Sequence, residues 1–302
     1  MGVSPPPSVV VGVDSGPAST AAAREGAAQA RRRLLPLHLV AGAPSILTVI
    51  PSGGAGGITA ALEVGARALQ QRLAVLQDEL TVACPALRVT AEYTTGSAEQ
   101  VLARRAGPEG RIVVGGSSTG SRPTLGRVAG RLVRDAPCPV LVHRAGGDPT
   151  GPVVVGVDCR PGTAELIGAA VDEACVRGSS LVVLHAWRVH GTGPSSAAPP
   201  EHSVAQAEAD LLERLVADVR TGHPAVPVEL VLRPGTAADR LLEAAESAAV
   251  LVLGRHGLRP RVPARRTSGW VLDRVGCPVL VVPVGADVRR PRGVVRARTS
   301  AR

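Results

Sequence analysis

One apolar stretch occurs twice in the sequence: VVVGVDSGPAST spans Val9 to Thr20, and VVVGVDCRPGTAEL spans Val153 to Leu166. The two copies start 153 − 9 = 144 residues apart, which is an ordinary size for one domain. Solenoid repeats have periods of roughly 20–50 residues, so the offset indicates a duplicated domain rather than a solenoid. The chain of 302 residues is long enough for two such domains, each with its own core.

Each copy alternates short apolar runs with longer Ala-rich helical patterns. The runs are continuously apolar, which is typical of parallel strands buried on both faces. They cover residues 8–14, 35–41, 87–94, 111–116 and 139–144 in the first copy, and 152–158, 180–186, 226–232, 249–254 and 278–283 in the second. Five such units per copy predict an α/β fold with two doubly wound, five-stranded parallel sheets. The last run of each copy is an apolar edge, so we expect these two strands to pair in an internal pseudo-dimer.

The Gly/Pro-rich segment HRAGGDPTGP, residues 143–152, separates the two copies. We therefore predict a first domain over residues 1–147 ("copy one"), a second over 148–285 ("copy two"), and a basic tail over 286–302. The tail carries much of the net charge of +9, with six arginines and no acidic residue over residues 289–302, a composition typical of disorder. Such a tail could contact nucleic acid by charge alone, but a solvated tail is the simpler interpretation.

The composition excludes several classes of protein. Phe is absent and the chain has only two Trp and one Tyr, which argues against stacking surfaces for single-stranded nucleic acid. No uninterrupted apolar run approaches the roughly 20 residues of a membrane span, and the N-terminus does not resemble a signal peptide. We therefore expect no membrane partner and a cytoplasmic location.

The five cysteines form no C-x-x-C pair, and their odd number fits a reducing cytoplasm. Cys138 and Cys277 begin matching strands in PCPVLV and GCPVLV, where small buried residues are more common than reactive thiols. The spacing of the seven histidines suggests no metal site. His185, at the end of a predicted strand, is interpreted as a core histidine, and His256 as a solvated loop residue.

Two carboxylates are the first candidates for ligand binding. Asp14 and Asp158 each end the first strand of a copy, directly before a helix. Open α/β sheets bind ligands at the carboxyl ends of their strands. Each carboxylate could accept hydrogen bonds from a ribose or a base, or it could cap the following helix. The sequence leaves both roles open.

A Gly-rich turn follows the fourth strand in each copy: VVGGSSTGSRPTLGR spans residues 113–127, and LVLGRHGLRPRVPARRTS spans 251–268. A Gly-rich turn that runs into a helix offers backbone N–H groups and the positive end of the helix dipole to a phosphate. The candidate contacts are Gly115, Gly116, Gly126 and Arg127 in copy one, and Gly254, Gly257, Arg265, Arg266, Thr267 and Ser268 in copy two.

The repeated frame, the VVVGVD strand, the Gly-rich turn and the closing APCPVLV (residues 136–142) resemble the universal stress protein family in a tandem arrangement. The resemblance covers residues 8–144 and 152–283. It implies a five-stranded parallel sheet of order 3-2-1-4-5 in each copy. In ATP-binding members, the first-strand Asp and the end of the second strand hold the nucleoside, and G-x2-G-x9-G-[S/T] follows the fourth strand. The corresponding nucleoside positions here are Asp14, Asp158, Ala41 and Ala186.

Both copies depart from that glycine motif. The first and last positions are 126 − 115 = 11 and 265 − 254 = 11 residues apart, against 13 in the family pattern. Copy one has Ser118 in place of the second Gly and Arg127 in place of Ser/Thr. Copy two keeps Gly254 and Gly257 but has Arg265 at the third Gly, although an ungapped count puts Thr267-Ser268 at the end of the motif. We therefore expect any ATP binding to be weak and unequal.

Three functions remain open. The first is a cytoplasmic, non-enzymatic stress-response regulator that binds an adenine nucleotide such as ATP. The second is a nucleotide-independent module that presents the same fold to a protein partner, which the sequence does not identify. The third, a weak nucleotidase, has no recognisable general base or metal cluster in the sequence. The sequence favours the first.

Overall fold

The computed structural model describes residues 5–43, 55–119, 122–187, 201–255 and 267–284. The strands of copy one are β1 (Val9–Val13), β2 (Leu37–Ala43), β3 (Val89–Thr95), β4 (Arg111–Gly115), β5 (Ser117–Thr119), β6 (Arg122–Thr124) and β7 (Val140–His143). Those of copy two are β8 (Val153–Val157), β9 (Leu181–Trp187), β10 (Val228–Pro234), β11 (Val250–Gly254) and β12 (Val279–Val282). The helices are α1 (Pro17–Arg33), α2 (Ala55–Ala83), α3 (Ala98–Ala106), α4 (Arg127–Asp135), α5 (Thr163–Arg177), α6 (Glu201–Gly222), α7 (Ala237–Ala245) and α8 (Thr267–Leu272).

Ten strands form one continuous sheet, in the order β10-β9-β8-β11-β12-β7-β4-β1-β2-β3. Each half has the predicted order 3-2-1-4-5 and is parallel throughout, which confirms the predicted fold class. The halves join where β7 and β12 pair antiparallel, with Leu141 opposite Leu280. These two leucines hold equivalent positions, 280 − 141 = 139 residues apart, as Cys138 and Cys277 also are. A pseudo-two-fold axis therefore passes between them, and the expected internal pseudo-dimer is confirmed.

Helices cover both faces of this sheet, which explains why the strands are continuously apolar. Val9 and Val11 of β1 belong to the core under α1, α2, α5 and α6, whereas Val10 belongs to the core under α3, α4, α7 and α8. Both cores contain residues from both copies. The two domains thus share their hydrophobic cores across the central strand pair.

A buried carboxylate lies between the two copies. Glu173 of α5 is fully buried, and its carboxylate accepts hydrogen bonds from Gln29 at 2.7 Å, Arg33 at 2.9 Å, Arg111 at 2.5 Å and Arg177 at 2.8 Å. Burial by itself would raise the pKa of Glu173, but the three arginines lower it to about 2. Gln29 is the copy-one counterpart of Glu173, since 173 − 29 = 144. One carboxylate near the pseudo-two-fold axis therefore holds α1, β4 and α5 together.

Two buried arginines also connect the copies, by donating to backbone carbonyls at the ends of α8 and α4. Arg144 donates to the carbonyls of Val275 and Leu272, both at 2.6 Å, just at the end of α8. Arg255 donates to the carbonyl of Ala136, at the end of α4. Ala136 and Val275 are equivalent positions, 139 residues apart. Each copy thus donates hydrogen bonds to backbone carbonyls at the end of the other copy's last helix. The last carbonyls of a helix have no partner within the helix itself.

The segment between the copies is packed against copy two. The N–H of Gly146 donates to the carbonyl of Gly276 at 3.1 Å, and that of Asp148 donates to Ala248 at 3.2 Å. Gly147 has φ +83°, and a Cβ there would lie 2.5 Å from the carbonyl oxygen of Ala248. The predicted domain boundary at 147/148 falls in this docked segment, and the predicted tail over 286–302 lies outside the described residues.

All five cysteines lie in the described ranges, and all are free thiols. Cys138 and Cys277 are buried, and burial raises their pKa to about 12 and about 11. Their interpretation as small buried residues is confirmed. None of the described helices is long and apolar enough to cross a membrane.

Replacing the buried carboxylate should destabilise the whole chain. We expect Glu173→Gln to lower the free energy of unfolding at pH 7 by about 3 kcal/mol or more, because three guanidinium groups lose their buried counter-charge. The folded pKa of about 2 is below the unfolded value of roughly 4.3, so this stabilisation is complete above pH 5 and is lost as the pH falls toward 2. Urea unfolding should show the wild-type advantage shrinking between pH 5 and pH 3.

A matched control is Glu243→Gln, which removes a solvent-exposed pair with Arg240 on α7. We expect that change to cost less than about 0.5 kcal/mol. An advantage of wild type over Glu173→Gln that is equally large at pH 7 and pH 3 would contradict the assigned charge of Glu173.

Candidate functional site

In each copy, the candidate site lies at the edge of the sheet formed by the carboxyl ends of its parallel strands. In copy one, the chain order reverses between β1 and β4, and in copy two between β8 and β11. Such topological switch points are where open α/β sheets bind ligands. Asp14 directly follows β1, Asp158 directly follows β8, and both side chains are exposed. The structure therefore places both predicted carboxylates at switch points.

In copy one, the carboxylate serves the start of the next helix. Oδ1 of Asp14 accepts the N–H of Gly16 at 2.8 Å, and the carbonyl of Asp14 accepts the hydroxyl of Ser19 at 3.0 Å. Gly16 is the N-cap of α1 and has no side chain to cap it, and the first turn of α1 has no acidic residue. Asp14 thus supplies both the acceptor and the negative charge that this helix start needs.

In copy two, the equivalent carboxylate has a different partner. Asp158 forms an ion pair with Nε of Arg160 at 3.4 Å, and both side chains are largely exposed. The following helix, α5, begins after Gly162 and has Glu165 in its first turn, so it has an acidic residue of its own. The two aspartates are equivalent in sequence but not in their surroundings.

The strand register shows which residues of β2 and β9, the second strands of the two copies, occupy equivalent positions. Val13 lies opposite Ala41, and Val157 lies opposite His185. The structural counterpart of Ala41 is therefore His185, and pairing Ala41 with Ala186 was wrong by one residue. Ala41 is fully buried and Ala186 is half-buried. The strands themselves continue past the predicted ends, to residues 43 and 187.

The first two glycines of the copy-one turn are needed for packing. A Cβ on Gly115 would lie 2.8 Å from the backbone carbon of Ala18, so only glycine lets β4 approach α1 this closely. The N–H of Gly116 donates to the carbonyl of His143 at 2.8 Å. The N–H of Gly116 is therefore already paired within the protein, and Gly115 is required for the close packing of β4 against α1.

The rest of this turn contains two short strands. β5 and β6 pair antiparallel, with Ser118 opposite Pro123, so the turn folds back into a hairpin. After it, Gly126 caps α4 without a side-chain hydrogen bond, and the exposed Arg127 begins the helix. Among the residues that the structure describes, a Cβ on Gly126 would meet only Ser117, at 3.7 Å.

The corresponding turn of copy two is only partly described. Gly254 ends β11, Thr267 begins α8, and Ser268 is half-buried in the first turn of that helix. The predicted contacts Gly257, Arg265 and Arg266, and the loop residue His256, lie outside the described residues.

At the carboxyl ends of the copy-two strands, the structure brings together three side chains that the sequence analysis did not connect, although it did place His185 at a strand end. The sulfur of Cys159, a ring nitrogen of His185 and a carboxylate oxygen of Glu208 all lie within 4.8 Å of one another. His185 is buried, with Nδ1 3.0 Å from the carbonyl oxygen of Val157 and Nε2 3.1 Å from Oε2 of Glu208. The adjacent ends of two parallel strands could have suggested Cys159 and His185 together. Nothing in the sequence of α6 marks Glu208.

Cys159 has an unusual environment for a free thiol. Its φ of +55° is in the left-handed region, which residues other than glycine seldom adopt. Burial, together with the nearby carboxylates of Glu208 and Asp158, raises the pKa of its thiol to about 11.

The copy-one edge carries a cation instead. Arg72 of α2 donates to the carbonyl of Gly16 at 3.1 Å and to the hydroxyl of Thr20 at 2.5 Å. Its Nε is buried and has no hydrogen-bond partner in the part of the chain that the structure describes. At the end of α2, the N–H of Cys84 donates to the carbonyl of Leu80, and the matching hydrogen bond occurs at the end of α6, 139 residues later. The counterpart of Arg72 is therefore Leu211. The edges of the two copies thus differ in charge.

Comparisons with known proteins agree with this architecture. The universal stress protein family model matches the chain twice, over residues 7–144 and 150–283. The universal stress protein Rv1996 of Mycobacterium tuberculosis is 29% identical over 310 residues, which cover 94% of this chain and 97% of that protein. A second protein of that organism, universal stress protein Rv2005c, is 32% identical over 263 residues, which cover 82% of this chain and 87% of that protein.

Among solved structures, a universal stress protein from Archaeoglobus fulgidus shares the fold with a TM-score of 0.69 at 15% identity, covering 92% of this chain and 98% of that chain. The fold and the two family matches together define a tandem α/β protein with two equivalent halves. The chain belongs to the universal stress protein family, which confirms the resemblance seen in its sequence.

The different surroundings of the two aspartates predict different effects on stability. We expect Asp14→Ala to lower the free energy of unfolding by about 0.5–1.5 kcal/mol, because α1 loses its N-terminal acceptor and charge. Asp158→Ala removes only an exposed ion pair and should cost less than about 0.5 kcal/mol. Urea denaturation of both variants measures the difference, and equal losses would contradict the helix-start role of Asp14.

Proposed function

We propose that this protein is a cytoplasmic, non-enzymatic stress-response regulator that binds an adenine nucleotide weakly and unequally in its two domains. The observation that supports this function best is the exposed carboxylate at each switch point, Asp14 in copy one and Asp158 in copy two. A carboxylate at this position can accept hydrogen bonds from ribose hydroxyls. Membership of a family with ATP-binding members makes ATP the nucleotide to test first.

Copy one has groups that suit both parts of a nucleotide. Asp14 would hold the ribose, next to the cationic side chain of Arg72. The uncapped start of α4, at Gly126 and Arg127, would bind phosphate through backbone N–H groups and the helix dipole. The β5–β6 hairpin takes up most of the turn that would otherwise wrap the phosphates, so the affinity should be low.

Copy two offers a weaker nucleoside position. Its Asp158 is already paired with Arg160, and a ligand must compete with that guanidinium. His185 replaces the small Ala41 at the second-strand position. Gly254 and Ser268 remain candidate phosphate contacts there. These differences support unequal binding, with copy one the stronger site.

A nucleotide-independent interaction module is the second candidate. It is favoured by the hairpin, because β5 and β6 use their backbone groups for each other rather than for a ligand. Five free cysteines fit a reducing compartment. An ATP turnover assay with the purified chain tests the absence of catalysis.

The test of nucleotide binding uses the purified full chain. We expect added ATP to raise the melting temperature, because a ligand stabilises the state that it binds, and denaturing extraction followed by mass spectrometry identifies any adenine nucleotide that stays bound. The absence of both retained nucleotide and any shift at millimolar ATP would favour the interaction module instead.

The two aspartates should contribute unequally to binding. We expect Asp14→Ala to weaken ATP binding roughly tenfold, because it removes a charge-assisted hydrogen bond worth about 1.5 kcal/mol. Asp158→Ala should change the affinity of the stronger site by less than about twofold, because it lies in the other domain. Titration calorimetry measures both variants, and two equally tight sites in the wild type would rule out this assignment.

The arginines before α8 allow a separate test in copy two. Arg265 and Arg266 are adjacent to the start of that helix in the chain, where a cation opposes the helix dipole unless an anion is bound. We expect replacing both with Ala to reduce the rise in melting temperature caused by phosphate or ATP. Deletion of residues 286–302 is the control, since it removes basic charge elsewhere and should leave that rise unchanged. Equal rises in the parent and the double variant would make these arginines ordinary surface charge.

A further inference from the structure

We propose that Cys159, His185 and Glu208 form a Zn²⁺-binding site at the carboxyl edge of copy two. This inference goes beyond nucleotide binding and does not depend on it. The three ligand atoms come from three different elements: the residues after β8, the strand β9 and the helix α6. They converge at the sheet edge although they are far apart in sequence.

The hydrogen bonds of His185 leave one ring nitrogen facing an acceptor. The carbonyl of Val157 can only accept, so Nδ1, 3.0 Å away, carries a proton. In the neutral imidazole, Nε2 then has a lone pair, which points at a carboxylate oxygen of Glu208 only 3.1 Å away. Two lone pairs at that distance repel each other unless a cation or a second proton lies between them. A metal ion at this point satisfies both groups.

The bond from Nδ1 to the Val157 carbonyl has a second consequence. Metal-binding histidines typically donate their other ring N–H to a backbone carbonyl or a carboxylate, which fixes the tautomer and the ring orientation. His185 has this arrangement already and is buried, with 7% of its surface exposed. The ring is therefore preorganised as a ligand through Nε2.

Cys159 supplies a softer ligand in a suitable electrostatic field. Its left-handed backbone, φ +55°, is held in a conformation that costs a non-glycine residue about 1 kcal/mol or more. Strain of this kind concentrates at functional sites. A carboxylate oxygen of Glu208 lies within 4.8 Å of the sulfur, and its negative charge would attract a cation to this position.

The set of ligand atoms favours zinc over harder cations. Thiolate, imidazole and carboxylate are the usual zinc ligands, whereas Mg²⁺ and Ca²⁺ prefer oxygen alone. Ligands of a tetrahedral zinc lie roughly 3.3–3.6 Å apart for bonds of about 2.0–2.3 Å. The observed separations, none above 4.8 Å, need only small side-chain adjustments to reach that geometry. Three protein ligands leave the fourth position for water.

Copy one provides an internal comparison. The positions equivalent to Cys159 and His185, 144 residues earlier, are Ser15 and Ala41. The position equivalent to Glu208 is Leu69, by the same match of helix ends that pairs Arg72 with Leu211. Ala41 and Leu69 pack against the core. Copy one therefore adopts the same fold without these three polar groups, and the cluster occurs in copy two but not at the equivalent positions of copy one.

The test uses the full chain after removal of metal with a chelator. We expect calorimetry to show one Zn²⁺ bound per chain, and Co²⁺ to give thiolate-to-cobalt charge-transfer absorption together with the visible bands of tetrahedral cobalt. Cys159→Ser, His185→Ala and Glu208→Gln should each lower the Zn²⁺ affinity at least tenfold, and Cys159→Ser should abolish the charge-transfer band. His185→Ala introduces the residue that copy one has at this register position, which makes it compatible with folding.

Matched controls are available within copy two. Cys175→Ser removes an exposed thiol of copy two, and Glu213→Gln removes an exposed carboxylate of α6. Both should keep the stoichiometry, the affinity and the cobalt spectrum. The proposal is overturned if the wild type binds no Zn²⁺, which would make His185 and Glu208 a plain ion pair, or if Cys159→Ser keeps the band. Because no nucleotide is present, a failure here is separate from a failure of ATP binding.

Discussion

The antiparallel pairing of β7 with β12 is the constraint on which the rest of the structure depends. Each of these strands would otherwise be an exposed apolar edge of a five-stranded sheet. Placing Leu141 opposite Leu280 removes both edges and joins the sheets into one. It also brings α1 beside α5, where Glu173 is buried among three arginines from both copies. The charged cluster and the shared cores thus follow from one strand pair.

That pairing also separates the two candidate sites. Strands are parallel within each half, but the halves run in opposite directions because β7 and β12 are antiparallel. The carboxyl ends of β1 and β8, where the two candidate sites lie, therefore face in opposite directions along the strands of the ten-stranded sheet. Ligands at the two edges cannot touch each other, so each copy is free to bind a different one. Any coupling between them would have to pass through the common cores.

The two copies share the same buried strands but differ in the polar residues near the carboxyl ends of those strands. The buried valines of β1 and β8 are the same, because a strand covered on both faces tolerates little change. At the edges the copies differ, with Arg72 replaced by Leu211 and Ala41 by His185. Copy one thereby presents a cation, which suits a phosphorylated ligand, and copy two presents a thiol, an imidazole and a carboxylate. The two copies thus carry chemically different side chains at the strand ends of one repeated fold.

The sequence by itself determined the strands, their burial on both faces, the duplication and the positions of Asp14 and Asp158, because these follow from local apolar patterns and from repetition. The strand order and the family came from recognisable motifs at the two ends of each copy. Only the tertiary structure decided that the turn after β4 contains the β5–β6 hairpin and that Glu208 lies beside Cys159 and His185. Register and the meeting of distant elements depend on packing across the whole sheet, and no local pattern records them.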